Sequence, residues 1–239
     1  MNIFGAAEAV ALDKETKGID SIQHAAGPIR IDVKIIDELF TPTIRRTVGI
    51  LVSAKNFGFP SVRRVVALSL GVAIATYVKD FDETCWSDPV AEELRKKGDA
   101  TPPQTICGAS KYLAEKATWD FKGHNNGQLS WVLVAVNPPF TCATELSRAA
   151  RAANAGRQRF IFAAAPVFWQ DIVDAANEAD LTIPVKGAPG ATKGELPSYT
   201  FDTSKAARVL GMTDSRSLEA GVKDSFDCFK AHLELPHRP

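Results

Sequence analysis

Apolar runs of strand length alternate with segments of helical spacing along most of this 239-residue chain. That alternation restricts the fold more than any other property of the sequence. Ile19 to Ala25, Arg63 to Leu70, Ser130 to Val136 and Arg159 to Ala164 read as strands, the second on its unbroken Val65-Val66-Ala67-Leu68. Ile44, Val48, Leu51 and Val52 recur at helical spacing behind Thr41-Pro42, which read as cap and first turn because a proline fits where the N–H has no helical partner. Further helices are expected over Pro89 to Lys97, Ala109 to Phe121, Ala149 to Ala155, Phe168 to Glu178, Ser204 to Leu210 and Ser217 to His232, with Leu181 to Val185 short and extended. Strands alternating with helices point to an α/β fold with a parallel sheet.

The chain is long enough for one such domain with a sizeable core, or a domain with a small appendage. Net charge is zero and no basic stripe is present; Arg45-Arg46 and Arg63-Arg64 read as solvated doublets, so nucleic acid is not an expected partner. Cys85, Cys107, Cys142 and Cys228 form no Cys-x-x-Cys, and His24, His124, His232 and His237 are equally scattered, so neither a disulfide framework nor a metal is implied. Met1 to Asp13 lacks a basic start and carries Glu8 in its apolar stretch, and the apolar run Val65 to Val78 is too short and too interrupted to span a bilayer. The expectation is a soluble, cytoplasmic protein with no membrane partner. The stretch Gly187 to Gly194 does not match a phosphate-cradling loop and reads as a linker.

The residues that carry chemistry lie between Cys107 and Phe121. Cys107 and Lys111, four apart, share a helix face; Tyr112 and Lys116 have the same spacing but are turned from that face by about 100°. Cys107-Gly-Ala-Ser110-Lys111, followed by Leu113-Ala-Glu115-Lys116-Ala-Thr-Trp119, resembles the Tyr-x-x-Ser-Lys helix of the extended short-chain dehydrogenase/reductases, in the branch of dihydroflavonol reductases and fungal aldehyde and ketone reductases. In that register Lys111 is the family lysine, Cys107 stands at the tyrosine position, and Tyr112 with Lys116 read as a packed aromatic and a solvated base. Gly18 to Pro28, Val134 to Phe140 (with Asn137-Pro138-Pro139), and Phe201 to Ala206 with Leu210-Gly211 and Ser217-Leu218-Glu219 resemble further family motifs in the family's order. The resemblance implies a Rossmann-like sheet over 1–140 and a reduced substrate domain over 141–239. It also implies NADP or NAD as cofactor, touched by His24, Ala25, Ala26, Lys111, Asn137 and Pro138, and a small carbonyl or alcohol as substrate.

The chain departs from that pattern in four places. No Gly-x-x-Gly-x-x-Gly turn is present to hold a pyrophosphate, and Met1 falls ahead of the family's fourth strand, so the first three strands are expected to be missing. The segment from Thr141 and Cys142 to Ser147 is short where the family has a long pocket-lining loop. Leu70 stands at the catalytic serine position, with Ser69 one residue off and so on the wrong strand face. Cys107 replaces the phenol that donates the proton. Its thiol is a weak hydrogen-bond donor of shorter reach.

Two function classes follow. One is an NAD(P)-dependent oxidoreductase acting on a CH–OH or carbonyl group and catalytically impaired as written. The other is a non-catalytic pseudoenzyme or truncated product, or a non-redox activity using Cys107 and Lys111. In either case the first strand becomes an exposed edge through which copies of the chain could pair.

Overall fold

The computed structural model describes residues 13, 16–25, 27, 35–75, 80–139, 146–178, 187–195, 199–213 and 215–233. In chain order its elements are β1 (Ser21–His24), α1 (Ile36–Phe57), β2 (Arg64–Leu68), β3 (Asp80–Phe81), α2 (Asp88–Lys97), α3 (Pro103–His124), β4 (Val132–Asn137), α4 (Leu146–Arg151), β5 (Gln158–Ile161), α5 (Trp169–Glu178), β6 (Thr200–Phe201), α6 (Ser204–Leu210) and α7 (Leu218–Leu233). The residues cluster into two compact units, Met1–Ala163 with Phe201–Gly211, and Ala164–Thr200 with Met212–Pro239.

The first unit holds the expected parallel sheet, in the order β1-β2-β4-β5. His24 pairs with Ala67, Ala67 with Ala135, and Asn137 with Ile161, so the carboxyl ends of the strands finish side by side. Val65 to Ala67 and Leu133 to Asn137 are buried, which is why β2 and β4 read as continuous apolar runs rather than alternating ones. On one face, Val65, Ala67 and Leu133 meet Val48, Leu51 and Ala54 of α1 and Phe121 of α3. Each large aliphatic side chain buried there contributes roughly 1.5–3 kcal/mol. Phe81 of β3 and Phe201 of β6 pack together, with Ile74 and Ile161 beside them; the sequence did not suggest this small pairing.

Several boundaries move. Helix α1 begins at Ile36, not at Thr41-Pro42, and Pro42 lies inside it. The carboxylate of Asp99 accepts the Ile36 N–H at 3.1 Å, so a residue 63 positions away supplies the partner that starts the helix. Helix α3 begins at Pro103 instead of Ala109, which brings Cys107 well inside it. The segment expected as one helix over 149–155 is α4 followed by a separate turn at Ala153–Ala155. Arg64 is not solvated. Its Nη1 donates to the carbonyls of Ala149, Ala150 and Ala152 at 3.1, 2.8 and 2.6 Å, capping the carboxyl end of α4. Arg45 and Arg46 are exposed, as expected.

In the second unit α5 packs with α7. The Gly187 to Glu195 stretch is a run of turns fastened to α5: Gln170 Oε1 accepts the Ala188 N–H at 3.1 Å, Asp174 the Gly190 N–H at 2.8 Å, and Asp171 the Thr192 hydroxyl at 2.6 Å. Amides of the glycine-rich loop thus answer side chains of its own unit. Leu181 to Val185 and the chain's last few residues lie outside the described residues.

Candidate functional site

Helix α3 sets the site because eleven of its residues, from Ile106 to Phe121, are buried, leaving little freedom in how its faces are turned. Cys107 is buried beside Leu39, Phe40, Ile106 and Ala109. The Ser110 hydroxyl donates back to the Cys107 carbonyl at 2.7 Å, a bond within the helix that leaves it no part in the site. Lys111 is only 8% exposed, and among the described residues no hydrogen-bond or ion-pair partner meets it. Its ammonium lies against Gly27, where an added Cβ would come within 2.7 Å of Nζ. Burial holds its pKa below the usual lysine value; a charge on Cys107 works the other way.

His24, the last residue of β1, has its pKa lowered by burial and then by the charge of Lys111, so its imidazole is favoured neutral. Its Nε2 is buried without a partner, and so is Oδ1 of Asn137 at the end of β4. Thus two orphaned polar atoms, and an ammonium with no partner among the described residues, lie at or beside the carboxyl ends of the parallel strands, where ligands bind in open α/β sheets. Pro138, next after Asn137, accepts the Gly71 N–H at 2.6 Å. A side chain at Gly71 would crowd its neighbours, since a Cβ would meet Pro139 Cα and Phe201 at 3.2 Å. Ala25 is exposed just beyond β1, while Ala26, Pro28, Phe140, Thr141 and Cys142 lie outside the described residues.

One turn along from Lys111, Glu115 is a buried hub. Oε1 accepts from Arg159 Nε at 2.7 Å and Trp119 Nε1 at 3.4 Å, while Oε2 accepts from the Ser69 hydroxyl at 2.6 Å and Asn137 Nδ2 at 2.7 Å. Ser69 is therefore committed to structure, and Leu70, which follows it, brings no hydroxyl. Arg159 also donates to the carbonyls of Glu83 at 2.9 Å and Cys85 at 2.6 Å, and its guanidinium lies 3.6 Å from the centre of the Trp86 ring. In the sequence Glu115 served only to fix the motif register and Arg159 only to start a strand. A charged residue in a strand expected to be buried was the available signal, because such a charge needs a partner.

The second Tyr-x-x-x-Lys pair is used elsewhere. The Tyr112 hydroxyl donates to Asp88, and burial and that bond push its pKa well above the usual phenol value. Lys116 is not a freely solvated base: Nζ sits 4.0 Å from the centre of the Trp86 ring and 3.7 Å from Asp88.

No family model matches the chain. Over 140 residues it is 30% identical to the NADPH-dependent methylglyoxal reductase of Saccharomyces cerevisiae, a match covering 56% of this chain and 40% of that protein. A ketoreductase of Aspergillus niger is 28% identical over 87% of this chain and 74% of its own length, and a dihydroflavonol 4-reductase of Dianthus caryophyllus 30% identical over 55% of this chain and 34% of its own. The chain thus spans about two-fifths of the yeast relatives it matches. Among solved structures, yeast methylglyoxal/isovaleraldehyde reductase complexed with NADPH superposes with a TM-score of 0.76 at 24% identity, covering 95% of this chain and 81% of that one. A Bacillus cereus UDP-glucuronic acid 4-epimerase shares the fold at a TM-score of 0.63 and 14% identity. In its sequence relatives and in its fold, the chain is similar to the extended short-chain dehydrogenase/reductases.

Proposed function

We propose that this chain is a nicotinamide-dependent oxidoreductase by descent, acting on the carbonyl or alcohol group of a small molecule and catalytically impaired. The observation that carries this reading is the Lys111 ammonium beside Gly27, with no partner among the described residues, and with it the orphaned His24 Nε2 and Asn137 Oδ1 at the strand ends. These groups fit the ribose and nicotinamide half of NAD or NADP, which offers hydroxyls and an amide to just such atoms. The residues do not provide a glycine turn for the pyrophosphate. When bound, the cofactor supplies the hydride; everything else falls to the protein.

Lys111 would hold the ribose and fix the nicotinamide edge, with Asn137 accepting from it. A carbonyl oxygen gaining negative charge needs donors in place before the charge develops. Here the two positions that would supply hydroxyls carry Leu70 and Cys107, and the neighbouring Ser69 donates to Glu115. The thiol of Cys107 can give a proton, but it bonds weakly and reaches less far than a phenol. Turnover is therefore expected to be slow even with the cofactor seated.

Titration with NADPH, followed by nicotinamide fluorescence, tests the reading: saturable enhancement is expected, and none would reject it. The second reading, a non-catalytic binding protein, is favoured by the loss of both hydroxyl positions. It predicts saturable NADPH binding with no reduction of simple aldehydes. It further predicts that activity emerges when Leu70→Ser and Cys107→Tyr are combined.

A further inference from the structure

The geometry points to a separate chemistry for Lys111: we propose that it condenses as an amine with aldehydes or ketones, forming an imine. The inference rests on the carbonyl part of the proposed function but not on a bound nicotinamide.

An amine attacks a carbonyl only through its neutral form, and a lysine matched to a carboxylate stays protonated. The carboxylate nearest along the helix, Glu115, is already shared among Arg159, Ser69, Asn137 and Trp119. Asp88 is engaged by Tyr112 and Lys116 around the helix. Lys111 is left with more than nine-tenths of its surface buried and no partner among the described residues. The groups facing it are Cys107 on its own helix and His24 from β1. An ionised Cys107 would hold the ammonium charged, whereas burial of both Lys111 and His24 favours their neutral forms. His24 Nε2 is buried with no hydrogen-bond partner, and the imidazole is near enough to Lys111 for that charge to lower its pKa, so in the tautomer with Nε2 unprotonated it can accept the proton. Gly27 leaves room for the Nζ that any side chain would have to displace.

The step balances within these groups. The Nζ lone pair forms the C–N bond as the carbonyl π electrons move to oxygen. The nitrogen then gives up a proton, which His24 passes to that oxygen. The carbinolamine next loses its hydroxyl with one more proton as water, leaving C=N. One water is released per imine and nothing is oxidised or reduced.

The test is competitive reductive trapping on the intact protein. Butanal and cyanoborohydride are added without nicotinamide, and alkylation is followed lysine by lysine by peptide mapping. Because burial lowers the Lys111 pKa and so raises its neutral fraction, Lys111 is expected to react several-fold faster than Lys17 and Lys193, which are exposed and meet no carboxylate among the described residues. A rate at Lys111 equal to or below theirs overturns the proposal. The same protein is assayed separately for NADPH-dependent loss of butanal. Trapping without reduction keeps the imine chemistry while the oxidoreductase reading fails, and reduction without selective trapping does the reverse.

Discussion

At the scale of single residues, the site is defined by polar groups that the fold does not satisfy. Lys111 is buried against Gly27 without a counter-charge among the described residues, an arrangement that disfavours the folded state while its ammonium is charged. Lys111→Met is accordingly expected to raise stability at neutral pH by about 1 kcal/mol while removing NADPH binding, measured by urea denaturation and nicotinamide fluorescence. A more stable variant that still bound the cofactor would separate the lysine from the site. His24 behaves differently with pH. Its folded pKa lies below 6.5, so the stability it confers is complete above that value and is lost as pH falls through the folded one. Denaturation midpoints at about pH 7.5 and about pH 5.5 should differ less in His24→Gln than in the parent. An unchanged difference would mean that other groups govern the acid limb.

At the scale of elements, α1 and α3 show two ways in which long-range contacts correct local rules. Pro42 looked like the first turn of α1, but the Asp99 carboxylate starts the helix at Ile36 and leaves Pro42 seven residues in. There its ring opposes the Glu38 carbonyl and supplies no N–H. Pro42→Ala should therefore stabilise the protein by about 1–3 kcal/mol, read from the shift in urea midpoint; destabilisation would mean that the proline shapes the helix as the core requires. In α3 the Glu115–Arg159 pair ties the helix to β5 with both partners almost wholly buried. Glu115→Gln is expected to cost about 3–5 kcal/mol, because it strands a buried guanidinium. A loss below about 1 kcal/mol would show the pair to be no more than a surface bridge in effect. The helices and strands were legible because periodicity records which face is buried. The hub was not, because its partners come from the residue after β2 and from α3, β4 and β5, and no local pattern joins them.

At the scale of the whole molecule, a parallel sheet ends its strands together, and this gathers His24, Asn137 and Lys111 from positions up to 113 apart in the numbering. Among the described residues β1 pairs with β2 alone. Self-association through its other edge is expected to appear as a concentration-dependent sedimentation coefficient, and Gln23→Lys, placing a charge on an exposed strand position, should reduce it. A monomer at every concentration would reject this. The sequence by itself determined the α/β class, the four parallel strands, the helix carrying Cys107 and Lys111, and the resemblance to reductases, because all of these reside in local periodicity and short motifs. Only the tertiary structure decided that Ser69 serves Glu115, that Tyr112 serves Asp88 and that Lys111 meets no counter-charge among the described residues. Which partner satisfies a buried polar group depends on what the rest of the chain brings within three ångströms of it, and no single segment contains that information.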